Sequence, residues 1–138
     1  MREVYSICAE TIVTDITSNK LSIFNVIDEI ALLQFPVAVP RISVLFGVQR
    51  ENEDPEQVDG LLTFSRDEVE LSRWPANINF GELPRSRLIY VINGLVIPGP
   101  GQFKFALVVQ GAEIARWEFP VVQPEQPEAR PQQMAPQE

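Results

Sequence analysis

The sequence predicts an all-β fold: an antiparallel, immunoglobulin-like β-sandwich of about seven to nine strands, closed without a disulfide. Three observations predict it. Apolar residues recur at every second position through most of the chain, the period of a strand with one buried face. Turn-forming residues interrupt these runs at short intervals. A single cysteine, Cys8, among 138 residues has no partner for an internal bridge.

The elements follow in order. The first segment sets Tyr5, Ile7, Ala9 and Val13 on one face, and Thr17-Ser18-Asn19-Lys20 turns the chain into a second strand. Asp28 to Leu33 is the only stretch with a helical pattern, and it stops before Phe35-Pro36. Arg41 to Arg50 alternates Ile42, Val44, Phe46 and Val48 with more polar positions. Asp59 to Arg66 sets Leu62 and Phe64 opposite Thr63 and Ser65, and Ser65-Arg66-Asp67-Glu68 reverses the chain toward Val69 and Leu71. Pro98-Gly99-Pro100-Gly101 is the strongest breaker. After it Phe103, Phe105, Leu107 and Val109 alternate cleanly, and Gln110-Gly111 closes a hairpin into Glu113 to Phe119. Trp74 and Trp117 are expected to cap the core, and a half-open barrel is the alternative architecture.

Residues 1–122 form the expected sandwich domain. Residues 123–138 hold four Pro, five Gln and three Glu. That composition buries too little apolar surface to offset its ordering entropy, so a disordered tail is expected there.

Composition excludes several functions. Histidine is absent, which removes Ser–His–Asp and Cys–His catalysis and Cys/His zinc sites. The formal net charge of −8, from 11 Lys+Arg against 19 Asp+Glu, disfavours nucleic acid and anionic membranes. Arg73, Arg85 and Arg87 are the nearest approach to a basic cluster, and they read as loop arginines. No run approaches the ~18 apolar residues of a spanning helix. The first ten residues carry Glu3 and Glu10 and lack the core of a secretory signal. A cytoplasmic protein is expected, in which a lone thiol is ordinary.

Ile7-Cys8-Ala9-Glu10, the run from Asn19-Lys20-Leu21 to Asp28, and Phe35-Pro36 resemble the opening of a family of small bacterial domains of unknown function. Pro98-Gly99-Pro100-Gly101-Gln102-Phe103-Lys104-Phe105, then Gly111 to Glu113 and Phe119-Pro120, resemble that family's closing hairpin. The resemblance implies a β-sandwich and transfers no site residues. Asn19 stands where a turn glycine is commonest, a mild departure because Asn tolerates the left-handed conformation.

The densest charge lies in Glu51 to Asp59, five carboxylates without a base among them. Their spacing matches no EF-hand loop, so a solvated hairpin loop is expected, with a partner-facing role for Glu53, Asp54 and Glu56 as the alternative. Glu10, on an otherwise apolar strand, faces outward or pairs with Arg41 or Arg116. Cys8 reads as a small buried hydrophobe. No catalytic residue, cofactor site or metal site is expected.

The sequence therefore points to a non-catalytic interaction module that binds an unidentified protein, or a second copy of itself, through loops or a sheet edge near Val4 or Glu118. Its expected surface comprises Trp74, Pro98, Gly99, Pro100, Glu53, Asp54 and Glu56. The alternative is a small-ligand or glycan-binding domain using Trp74 and Trp117 as aromatic platforms. A carboxylate- or metal-dependent enzyme stands third.

Overall fold

A computed structural model describes residues 1–125. Nine strands follow one another: β1 (Arg2–Thr14), β2 (Leu21–Val26), β3 (Ile30–Ala31), β4 (Val37–Gln49), β5 (Gln57–Arg66), β6 (Val69–Asn79), β7 (Arg85–Ile97), β8 (Gly101–Val109) and β9 (Ala112–Val122). They build two sheets, ordered β2-β1-β4-β7 and β3-β9-β8-β5-β6. The expected all-β sandwich is present. Its pairs are antiparallel apart from β3 with β9, which run parallel with Ile30 opposite Val121. From residue 126 on, the expected tail lies outside the described residues.

The alternation read from sequence sets the core. Ile42, Val44, Phe46 and Val48 of β4 face Leu62, Phe64, Phe103, Phe105 and Leu107 of the other sheet, all in one buried cluster. Phe64 stacks 5.3 Å from Phe103 and lies tilted, 4.8 Å from Phe105. Such offset aromatic contacts add ~0.5–1.5 kcal/mol each beyond area burial.

Asp28 to Leu33 is not helical. Ile30 and Leu32, two apart, both pack against the core, and the Leu32 amide donates to the Val122 carbonyl at 3.0 Å. An extended backbone buries both side chains and satisfies the amide, which one isolated helical turn does not do.

The alternation of β4 and β7 reverses midway. Ile42 and Ile92 face the core, but beyond them the inward residues are Val39, Leu95 and Ile97. The register does not slip: Arg41 opposes Asn93 and Val39 opposes Leu95, so Pro40 lies across from Gly94. Both strands rotate together there. Gly94 accommodates the rotation at φ 72, a value glycine adopts without steric penalty.

β1 leaves β4 after Ala9, which opposes Ser43, and from there to Thr14 it pairs with β2 alone. The β1–β2 hairpin thereby becomes an arm laid across the outer face of the first sheet. Ile7, Leu45 and Ile89 form one cross-strand row on that face. Ile12 and Leu21 of the arm close over it, leaving Ala9 and Leu45 buried in a second, smaller core. At the arm's tip Asp15 Oδ1 accepts the Thr17 and Ser18 amides at 2.8 and 3.0 Å. These amides, Ser18 first, hold the Asp15 carboxyl below its usual range. Asn19 takes φ 60, the left-handed conformation expected of it.

Candidate functional site

The arm carries the largest concentration of unburied apolar side chains. Of thirteen large hydrophobics exposed among the described residues, five lie on it: Val13, Ile16, Ile23, Phe24 and Val26. Ile16 is 98% and Phe24 52% exposed. The free edge of β2, Leu21-Ser22-Ile23-Phe24-Asn25-Val26, holds no charge and no proline. Exposed edges normally carry such guards, because their unpaired backbone groups template a further strand. The edge strand β6 has Arg73 and Pro75, and the edge strand β7 has Arg85 and Arg87. β2 has none.

The edges expected near Val4 and Glu118 are less open. The Glu3 carboxylate accepts the Arg116 amide at 3.0 Å, bridging β1 to β9. Trp117 Nε1 donates to the Ile27 carbonyl at 2.9 Å, tying β9 to the chain leaving β2. A groove of about 400 Å³ opens where β1 diverges from β4, between Val26, Ile30, Val37 and Val39, with Glu10 and Arg41 at its rim. Pro40, which has no amide hydrogen, lies on the β4 edge beside it.

The residues singled out from sequence are scattered by the fold. Trp74 is not a loop platform: it lies within β6 opposite Leu62, half-buried against the core and 6.1 Å from the Tyr90 ring. It seals the gap between the sheets. Trp117 is likewise half-buried. Pro98-Gly99-Pro100 joins the two sheets and is gripped from below, since Arg66 donates from Nε and Nη2 to the Pro100 carbonyl at 3.0 and 2.7 Å. Gly99 is buried, and a Cβ there would come 2.8 Å from Arg66 Nη2.

In the acidic loop Glu53 and Glu56 point to solvent, while Asp54 is engaged. Its carboxylate lies 2.8 Å from the Met1 ammonium and accepts the Glu51 amide at 2.8 Å. The ammonium first, then that amide, hold its carboxyl below the usual range. Among the described residues no group of three or more acids and cysteines converges on a cation position.

Glu10 is exposed and takes only a long 3.4 Å bond from Asn25 Nδ2, so neither Arg41 nor Arg116 is its partner. Arg116 lies instead between Glu113 and Glu118. Cys8 is fully buried, and burial pushes its thiol up to about 12. Arg85 and Arg87 are on a strand, not in a loop, and Arg73 is on the other sheet, bidentate to Glu70 at 2.7 and 3.1 Å.

Sequence reasoning missed the outer-face cluster under the arm. The signal was present in Ile42-Ser43-Val44-Leu45-Phe46, a nearly continuous apolar run. Such a run marks a strand covered on both faces.

Among the described residues, two sheets packed through an aromatic core, with no helix and an outer arm, define a β-sandwich domain of nine strands. The chain belongs to a family of unknown function, DUF6941, whose model matches residues 4–122. None of the curated proteins matches it in sequence. Among the described residues no helix is long and apolar enough to cross a membrane.

Proposed function

We propose that this protein is a non-catalytic interaction module that docks through its β1–β2 arm, with a second copy of the chain as the occupant. The unguarded, apolar edge of β2 carries the reading. Two β2 strands pairing antiparallel extend each sheet across a twofold axis and cover Phe24 and Ile23 on both copies.

Charge favours a second copy there. A chain of net charge −8 repels itself over most approaches, but β2 contributes no charge of its own. Setting Phe24 against Phe24 of the second copy, the self-pairing that a twofold axis through an antiparallel ladder requires, places Lys20 opposite Asp28 of that copy. Among the described residues neither Lys20 nor Asp28 has an ion-pair partner within the chain. The complementary pair occurs twice by symmetry. The absence of histidine and the buried, unactivated state of Cys8 support the non-catalytic part of the reading. The lone thiol also favours a cytoplasmic setting.

Sedimentation equilibrium of the full chain tests this. The expected result is a monomer–dimer equilibrium that Phe24→Lys weakens by about tenfold or more. Val69→Lys, at an exposed position on the other sheet, is expected to leave it unchanged. A monomer at every concentration up to the millimolar range refutes the proposal, and so does a dimer equally sensitive to both substitutions.

A further inference from the structure

A second feature lies on the outer face of the first sheet, independent of the β2 edge. Tyr5 of β1, Gly47 of β4 and Arg87 of β7 form one cross-strand row. Gly47 provides the room. A Cβ there would fall 2.4–2.7 Å from three atoms of the Tyr5 ring, so the ring lies directly over the glycine. Arg85, two residues before Arg87, projects from the same face. With Val4 and Asn19 these residues line a cleft of about 210 Å³.

The electrostatics of this cleft run against those of the whole chain. The protein has 19 carboxylic side chains, yet among the described residues none of them lines the cleft. Both guanidinium groups are instead positioned by neutral acceptors. Arg85 Nε donates to Gln49 Oε1 at 3.0 Å, and Arg87 Nη2 donates to the backbone carbonyl of Asn19, at the tip of the arm. Among the described residues neither arginine forms an ion pair. Each is thereby oriented without being neutralised, and each keeps donors free. Preorganised, uncompensated guanidinium groups are what oxyanion recognition requires. Beside them the Tyr5 ring, 42% exposed, offers a flat apolar surface.

We infer that this cleft binds a small organic anion, with a phosphate or carboxylate group held between Arg85 and Arg87 and a flat apolar portion over Tyr5. Its volume suits a compact ligand of few heavy atoms. Contact between Arg87 and Asn19 also joins the cleft to the arm, so an occupant touches both.

The test is a ¹⁵N NMR titration of the full chain with two probes, phenyl phosphate and benzoate. Inorganic phosphate serves as the ringless comparison. The expected result is saturable shift changes confined to residues around Tyr5, Gly47 and Arg85 to Arg87. At least one ring-bearing probe is expected to bind several-fold tighter than inorganic phosphate. Which of the two binds distinguishes a phosphate ligand from a carboxylate one. Arg87→Gln and Arg85→Gln, each checked for an unchanged amide spectrum elsewhere, are expected to weaken binding by about tenfold. Arg73→Gln, on the other sheet, is expected to have no effect. Shifts spread evenly over all exposed arginines, or binding indifferent to both cleft substitutions, overturn the inference. A monomeric protein that still binds the probe here would refute only the arm-mediated pairing.

Discussion

Leu45→Ala separates the observed structure from a plain two-layer sandwich. In a plain sandwich Leu45 alternates with Val44 and Phe46 and faces water, so truncating it changes stability by ~0.5 kcal/mol or less. In the structure Leu45 is 1% exposed, enclosed by Ile7 and Ile89 of its own row and by Ile12 and Leu21 of the arm. Burying a leucine side chain is worth ~1.5–3 kcal/mol, and the unfilled space adds to the loss, giving ~2–5 kcal/mol for Leu→Ala in rigid cores. The arm lies at the surface, held by its packing and by the Arg87 bond to the Asn19 carbonyl at its tip, and with water on its outer side it can settle inward. The expected cost is therefore near the lower end, about 2–3 kcal/mol. Urea unfolding followed by tryptophan fluorescence measures it, with the midpoint falling and the slope unchanged. Val13→Ala, on the outer side of the same arm, is the internal comparison and is expected to cost ~0.5 kcal/mol or less. Equal small losses for the two substitutions would refute the placement of the arm over this face.

Three further outcomes follow, two from Cys8 and one from Arg66. Native Cys8 is expected to react with a thiol reagent orders of magnitude more slowly than the denatured chain, and equal rates would contradict its burial. Its thiol is raised to about 12 by burial. The folded state therefore holds the proton at pH values where the unfolded thiol has lost it. That contribution is fully present below the unfolded value and declines as pH rises from there toward 12, by at most ~1.4 kcal/mol per unit. A Cys8→Ala variant is expected to show a flatter decline of stability over that alkaline range. Arg66→Lys, which removes the two-pronged grip on the Pro100 carbonyl, is expected to cost about 1 kcal/mol in the same urea assay. An unchanged urea midpoint would show that this grip contributes nothing.

The sandwich was legible because strand period and turn chemistry act locally. Phe103, Phe105 and Leu107 alternate with Gln102 and Lys104 at the start of β8, and the structure buries the first set. The turn at Asn19 follows from a residue that tolerates its own backbone angle. Trp74 was misplaced because Trp-Pro reads as loop. Proline is in fact compatible with an edge strand, where its missing amide hydrogen faces no neighbour. The Arg66 grip on Pro98-Gly99-Pro100 was invisible because its two partners are 34 residues apart.

By itself the sequence determined the class of fold, the buried alternating faces, the lone buried thiol and the lack of histidine chemistry. Each depends on residue type and on spacing within a few positions. Only the tertiary structure decided that β1 leaves β4 at Ala9, that its arm crosses the outer face, and that Tyr5, Arg85 and Arg87 share one cleft. These depend on which strand lies beside which. Strand order is set by the summed burial of surfaces distant in sequence, and a period of two carries no information about it.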